Sequence, residues 1–217
     1  DHIGALDHFW PRLRKPLYAT KFTAERIRQS VSEYPWGSEA RIHEVAASGA
    51  ITLGPFSIRY VEMAHSIPEA NALAITGKEV GTILHTGDWK LDADPVEGNL
   101  TDEKTLTALG DAGVLAVVGD STNAMVPGHS GSERAVQKNM IELFGTFKEK
   151  IAVTCFSTNV ARLRSIYEAA NANGRHVCLV GRSLWKTDDA ARKCGYLKNI
   201  PPFIDEDEAG GFPDSKI

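Results

Sequence analysis

The hydrophobic period of the chain changes at the small-residue loop Pro127-Gly128-His129-Ser130-Gly131, and this change restricts the possible folds more than any other feature. Before the loop, apolar residues alternate or come in short runs. Phe56, Ile58 and Tyr60 alternate with Ser57, Arg59 and Val61, the period-two pattern of a half-buried strand. Residues 72–76 and 80–85 flank the turn Gly77-Lys78-Glu79 as a hairpin, and residues 114–119 read as a further, buried strand. One helix stands out in this half. Thr23 is its expected N-cap, Glu25 suits the first turn, Ala24, Ile27, Val31 and Tyr34 share one face, and Pro35 and Gly37 end it.

After the loop the period becomes helical. Residues 132–148 are expected to form a helix that buries Val136, Met140, Leu143, Phe144 and Phe147. A strand over 151–156, a helix over 159–173 stopped by Gly174, a strand over 176–180 and a helix from Ser183 to Cys194 complete a βαβα alternation. That order implies a parallel sheet with right-handed crossovers. The expected fold class is α/β in two parts, residues 1–130 and 131–217, and 217 residues suit two modest domains. The run from Phe203 through Asp205, Glu206, Asp207 and Glu208 to Gly210-Gly211 reads as an acidic connection.

Composition excludes several function classes. With 42% hydrophobic and 24% charged residues the chain has a soluble globular mix, and no apolar run approaches the roughly 18 residues of a membrane span. Three cysteines (Cys155, Cys178 and Cys194), none in a C-x-x-C pair, make no disulfide framework and suit a reducing cytoplasm; Cys155 and Cys178 are expected to be small buried hydrophobes. A net charge of −4 gives no global attraction to nucleic acid. Residues 151–200, however, carry eight Lys/Arg against three acids (Glu168, Asp188, Asp189), a block that can track phosphates or simply solvate helix faces.

Four places could carry chemistry. Asp1-His2 sets a carboxylate beside an imidazole, His65 follows the strand 56–63, and Asp88 and Asp120 follow two further strands. Each alone is ordinary for a terminus, a loop or a turn. Together they put His or Asp on three strand-end loops, the pattern of a site built on one sheet edge. A divalent ion needs neutral imidazoles and ionised carboxylates converging at about 2.0–2.2 Å, and such loops supply them.

On these residues the sequence resembles a family. Asp1-His2-Ile3-Gly4-Ala5 is similar to the closing half of the H-x-H-x-D-H signature of the metallo-β-lactamase superfamily. His65 in Ala64-His65-Ser66-Ile67-Pro68, and Asp88 in His85-Thr86-Gly87-Asp88-Trp89-Lys90-Leu91-Asp92, resemble its next two ligand motifs. Gly119-Asp120-Ser121-Thr122-Asn123-Ala124, followed by Pro127-Gly128 and Ser132-Glu133, looks like the opening of the β-CASP nuclease insertion. Phe156-Ser157-Thr158-Asn159-Val160 with Arg162-Leu163, and Gly181-Arg182-Ser183, are similar to the β-CASP region of bacterial ribonuclease J.

The resemblance implies part of a metallo-β-lactamase αββα sandwich (1–130), then the start of a β-CASP domain (131–217). It implies hydrolysis of RNA phosphodiesters, as 5′–3′ exonuclease and endonuclease, in the cytoplasm and as a homodimer or homotetramer. It implies two metal ions, Zn²⁺ with Mn²⁺ or Mg²⁺ as substitutes, held in part by Asp1, His2, His65 and Asp88. Asp120 is then a residue that orients a ligand, and His85 a structural hydrogen-bonding residue. Backbone-phosphate contacts fall to Ser157, Asn159, Arg162, Arg182 and Ser183. The signature's first two His would precede Asp1, and a later His ligand would follow Ile217. The chain is therefore expected to be an internal fragment, inactive alone. The alternatives are a DNA-directed β-CASP nuclease, another hydrolase of the same fold, or a non-catalytic piece that binds RNA or simply packs.

Overall fold

The structure, a computed structural model, describes residues 2–217. It divides into two compact units. The first runs to His65 and takes in Glu69–Asp92 and Asn99–Ser130; the second comprises Ser66–Pro68, Ala93–Gly98 and Gly131–Ile217.

In the first unit, β1 (Leu17–Ala19) and β2 (Ile42–Glu44) form a parallel pair. A second sheet orders β3 (Ala50–Leu53), β4 (Phe56–Glu62), β5 (Asn71–Gly77), β6 (Gly81–His85) and β7 (Ala116–Val118) in chain sequence. The β5–β6 hairpin forms where expected, with Gly77 opposite Gly81. Antiparallel pairing runs from β3 to β6, and β7 lies parallel to β6. A parallel neighbour needs a crossover. Its helix is preceded in the chain by α1 (Leu6–Leu13) and α2 (Lys21–Val31); it is α3 (Glu103–Ala112), whose Asp102 side chain accepts from the Thr105 N–H. The unit's core gathers Ala19, Ala24, Ile27 and Val31, against which Leu6, Leu17, Trp36 and Ile42 pack.

Two expectations change here. Helix α2 begins at Lys21, with Thr20 rather than Thr23 at the N-cap, and it ends at Val31, short of Tyr34. The reason lies far away in sequence: a Glu69 carboxylate oxygen accepts the Phe22 N–H at 3.0 Å, capping the helix start from outside. Strand β7 is not buried. It is an edge strand, and Val117 is 63% exposed.

The second unit contains α4 (Glu133–Thr146), α5 (Val160–Ala172) and α6 (Arg182–Cys194). Side chains cap two of them: Ser132 accepts from the Ala135 N–H and Asn159 from the Arg162 N–H. Gly174 and Gly195, both at positive φ, follow α5 and α6 as stops. Phe144, Ala169 and Ala170 centre the α4–α5 contact, with Met140, Ile141, Ile151 and Val177 around them. The buried face of α4 differs from the apolar stripe. It holds Glu133 and Gln137 beside Phe144, while Leu143 and Phe147 are exposed. Glu133 turns inward because Arg162 and Ser165 of α5 bond its carboxylate.

The expected strands 151–156 and 176–180 form no ladder among the described residues. One parallel bridge, Cys178 to Ile204, and the bonds Leu179 N–H to Ile204 O and Ile204 N–H to Val177 O hold the second segment. None of the three cysteines is in a disulfide, and Cys155 and Cys178 are half-buried rather than fully inside.

Arg175 is a charged exception in this core, only 8% exposed. Its guanidinium donates to the carbonyls of Phe147 (2.6 Å), Glu149 (3.0 Å) and Ile217 (3.0 Å), joining three backbone ends. Arg175→Met fills similar volume but takes the donor from the Phe147 and Glu149 carbonyls, while Ile217 O keeps the Ile151 N–H. The variant is expected to lose about 3 kcal/mol of unfolding free energy in chemical denaturation.

Candidate metal centre

Strand direction places the site. Since β4 and β6 are each antiparallel to β5, they run the same way, and β7 runs parallel to β6. Their C-terminal loops therefore open at one sheet edge. His65 lies three residues beyond β4, Asp88 three beyond β6, and Asp120 two beyond β7. His2 begins a short 3₁₀ turn, His2–Ala5. Asp1 lies outside the described residues.

The structure joins two of the expected donors directly: His2 Nε2 stands 3.2 Å from Asp88 Oδ2. Two donors on a tetrahedral ion with bonds near 2.0–2.1 Å are separated by about 3.3 Å, so this pair has the spacing of neighbouring ligands. His65 is half-buried, and burial pushes its imidazole below the ordinary histidine pKa; the charges of Asp88 and Asp120 oppose that shift, and Lys90 adds to it. Its ring is therefore neutral at pH 7, the form that binds metals. Among the described residues no three His, Cys, Asp or Glu side chains gather closely enough to hold an ion. The donor set fits a divalent cation in chemistry and, at His2–Asp88, in spacing.

Asp120 touches the neighbouring loop rather than the donor pair. Its carboxylate accepts from the Thr122 hydroxyl (2.6 Å) and N–H (2.8 Å) and from the Trp89 N–H. These bonds, the Thr122 hydroxyl foremost, hold it below the usual carboxylate range. Its own N–H donates to Thr86 Oγ1 at 3.2 Å, and that hydroxyl donates to Gly87 O at 2.7 Å. His85 accepts the Gly87 N–H at Nδ1, 3.1 Å away, which shapes the turn before Asp88 where Gly87 has φ +60°. The Asp88 loop is thus held on both flanks.

Sequence reasoning missed several supports. Lys90 Nζ pairs with Asp92 Oδ2 at 2.8 Å, and the Asp92 side chain is fully buried. The alternation Asp88-Trp89-Lys90-Leu91-Asp92 was the available signal: in an extended segment Lys90 and Asp92 face the same side. Thr86 and Thr101 carried none, because their role depends on which strands pair.

In the second unit the expected phosphate contacts separate. Asn159 spends its side chain as the α5 cap. Arg162 forms a bidentate pair with Glu133, Nε to Oε1 at 2.7 Å and a terminal nitrogen to Oε2 at 3.2 Å, which raises its pKa further. It is a packing residue here. Ser157 is half-exposed, and Arg182 and Ser183 are exposed at the start of α6. There the Gly181 N–H donates to Glu206 Oε2 at 3.3 Å, so a carboxylate sits at this helix end. Much of the basic block is likewise internally paired: Arg164 with Glu97, Arg192 with Asp188 and Lys193 with Asp189.

A family model described as "Ribonuclease J, beta-CASP domain" matches residues 148–217. The chain is 43% identical over 217 residues to the Ribonuclease J of Sinorhizobium meliloti, covering 100% of this chain and 38% of that one. It is 41% identical over 201 residues to that of Mycolicibacterium smegmatis, covering 91% and 35%, and 31% identical over 224 residues to that of Thermus thermophilus, covering 100% and 39%. The chain spans about a third of the length of these curated relatives. A crystal structure of a protein of unknown function from Enterococcus faecalis V583 superposes with a TM-score of 0.61 at 18% identity, covering 88% of this chain and 50% of that one. That likeness concerns the fold alone.

Mixed sheet, helical second unit and matched domain define a protein of the metallo-β-lactamase/β-CASP fold. Within that class, the chain is similar along its whole length to proteins of the ribonuclease J family.

The lowered pKa of His65 has a consequence for stability. Below about pH 6.5 the unfolded imidazole takes up a proton that the folded one refuses, so protonation favours unfolding. In metal-free protein the contribution of His65 is full above pH 6.5 and falls as pH drops toward the lower folded pKa. Chemical denaturation at pH 7.5, 6.5 and 5.5 is expected to show this loss, and His65→Gln to reduce it.

Proposed function

We propose that the full protein is a metal-dependent ribonuclease that hydrolyses RNA phosphodiester bonds. The observation that carries this reading is the His2–Asp88 pair at ligand-like spacing, with His65 on a neighbouring loop at the same end of the sheet. The names of the relatives favour RNA over DNA as substrate. In this reading residues 1–130 belong to the metallo-β-lactamase domain and 131–217 to the β-CASP domain.

The donors would be His2, His65, Asp88 and Asp1. Imidazole and carboxylate admit zinc or manganese, and magnesium on the carboxylates. Bound divalent ions supply a water acidic enough to attack at neutral pH and positive charge for the phosphoryl oxygens. The chain's own residues do the rest. The neutral His65 ring offers a lone pair without first losing a proton. Asp120 holds the Trp89 N–H and so fixes the loop that carries Asp88. Ser157, Arg182 and Ser183 are the exposed groups left to contact the RNA backbone, and the guanidinium of Arg182 matches phosphate best. No helix among the described residues is long and apolar enough to cross a membrane. Three cysteines outside any disulfide suit the cytoplasm, where RNA turnover takes place.

The test uses the full-length protein and a labelled RNA oligonucleotide. His65→Ala and Asp88→Ala should each lower cleavage on the order of a thousandfold, as expected when several kcal/mol of charge stabilisation are removed. Bound metal should fall in parallel. Wild-type cleavage by either variant would contradict the reading.

A further inference from the structure

The loops that carry His65 and Asp88 are joined by an incomplete backbone bridge. Ala64 and Lys90 pair antiparallel, one residue before His65 and two after Asp88. Such a pair ordinarily exchanges two N–H···O=C bonds. Here one arm is direct: the Lys90 N–H donates to Ala64 O at 3.1 Å. The other arm passes through a side chain. The Ala64 N–H donates to Thr101 Oγ1 at 2.9 Å, and Thr101 Oγ1 donates to Lys90 O at 3.3 Å. A hydroxyl can do this because it carries one proton and accepts at the same time.

Thr101 is itself anchored. Its neighbour Asp102 donates its N–H to Glu62 O at 2.9 Å, and Asn99 Nδ2 donates to Glu62 Oε1 at 2.7 Å. The hydroxyl is therefore fixed against the end of β4, which leads into His65. Ala64 is only 2% exposed, so its N–H has little access to water. Removing the hydroxyl leaves that N–H unpaired, or lets residues 64 and 90 close until they bond directly. Either outcome alters the separation of the His65 and Asp88 segments.

We propose that Thr101 is a positioning residue whose hydroxyl, inserted in the second arm of the Ala64–Lys90 bridge, sets the spacing of His65 and Asp88 and thereby the metal affinity of the site. This rests on the reading of His65 and Asp88 as ligands. Thr101→Val keeps the shape and removes the hydroxyl; Thr101→Ser keeps the hydroxyl.

The experiment strips the full-length protein of metal and titrates it with zinc against a competing chelator. It also follows amide exchange of Ala64 in the metal-free form. Thr101→Val is expected to weaken zinc binding by about 10- to 100-fold, the usual effect of losing a group that orients a ligand, and to speed exchange at Ala64. Thr101→Ser should bind zinc like wild type. If Thr101→Val does not fold, Thr101→Ala carries the same expectation, again with recovery in the serine variant. Wild-type zinc affinity in the valine or alanine variant, or a serine variant as weak as either, overturns the proposal. His65→Ala and Asp88→Ala separate the two levels. If they lose zinc while Thr101→Val does not, the role of Thr101 fails alone. If they keep wild-type affinity, the ligand reading itself fails.

Discussion

The candidate centre depends on three strands running in the same direction. Because β4, β6 and β7 all point one way, the loops after them open on one edge of the sheet. A two-residue shift in any of these strands would move its His or Asp by about 6.6 Å, since each residue advances roughly 3.3 Å. The pinning is correspondingly dense. Thr86 ties the Asp88 loop to Asp120, Asp120 ties back to Trp89, and Thr101 joins Ala64 to Lys90, beside His65 and Asp88.

Charge is arranged differently in the two units. At the sheet edge His2 and Asp88 stand close, and Lys90 is drawn onto the buried Asp92. In the second unit most cations are already matched within the fold. Arg162, Arg164 and Arg192 each grip a carboxylate, and Arg175 grips three carbonyls. A basic composition over residues 151–200 therefore overstates what an RNA backbone meets, and Arg182 stands out because it remains exposed.

Local signals in the sequence carried far. The β5–β6 hairpin, the starts of α4 at Ser132 and α5 at Asn159, and the stop at Gly174 are set by residues within a few positions of one another, and each occurs where the pattern places it. The failures share one cause: a distant partner. Glu69 caps α2 across 47 positions and moves its start. Glu133 pairs with Arg162, which turns the face of α4 and engages the arginine within the fold. Strand β7 has the apolar composition of a buried strand but pairs on one side only. The candidate donors stand out in the sequence because motif and strand end coincide. Thr86 and Thr101 were not, since a threonine in a loop becomes informative only once its hydrogen-bond partners are known.

The most direct test of the central claim follows the seven histidines of this chain. With histidine ring nitrogens labelled in the full-length protein, zinc is added and the ring resonances are recorded. The account predicts that His2 and His65 shift to the metal-bound range, while His8, His43, His85, His129 and His176 stay where they were. Shifts at His85 or His129 in place of His2 and His65 would contradict it, as would zinc binding that leaves all seven rings unchanged.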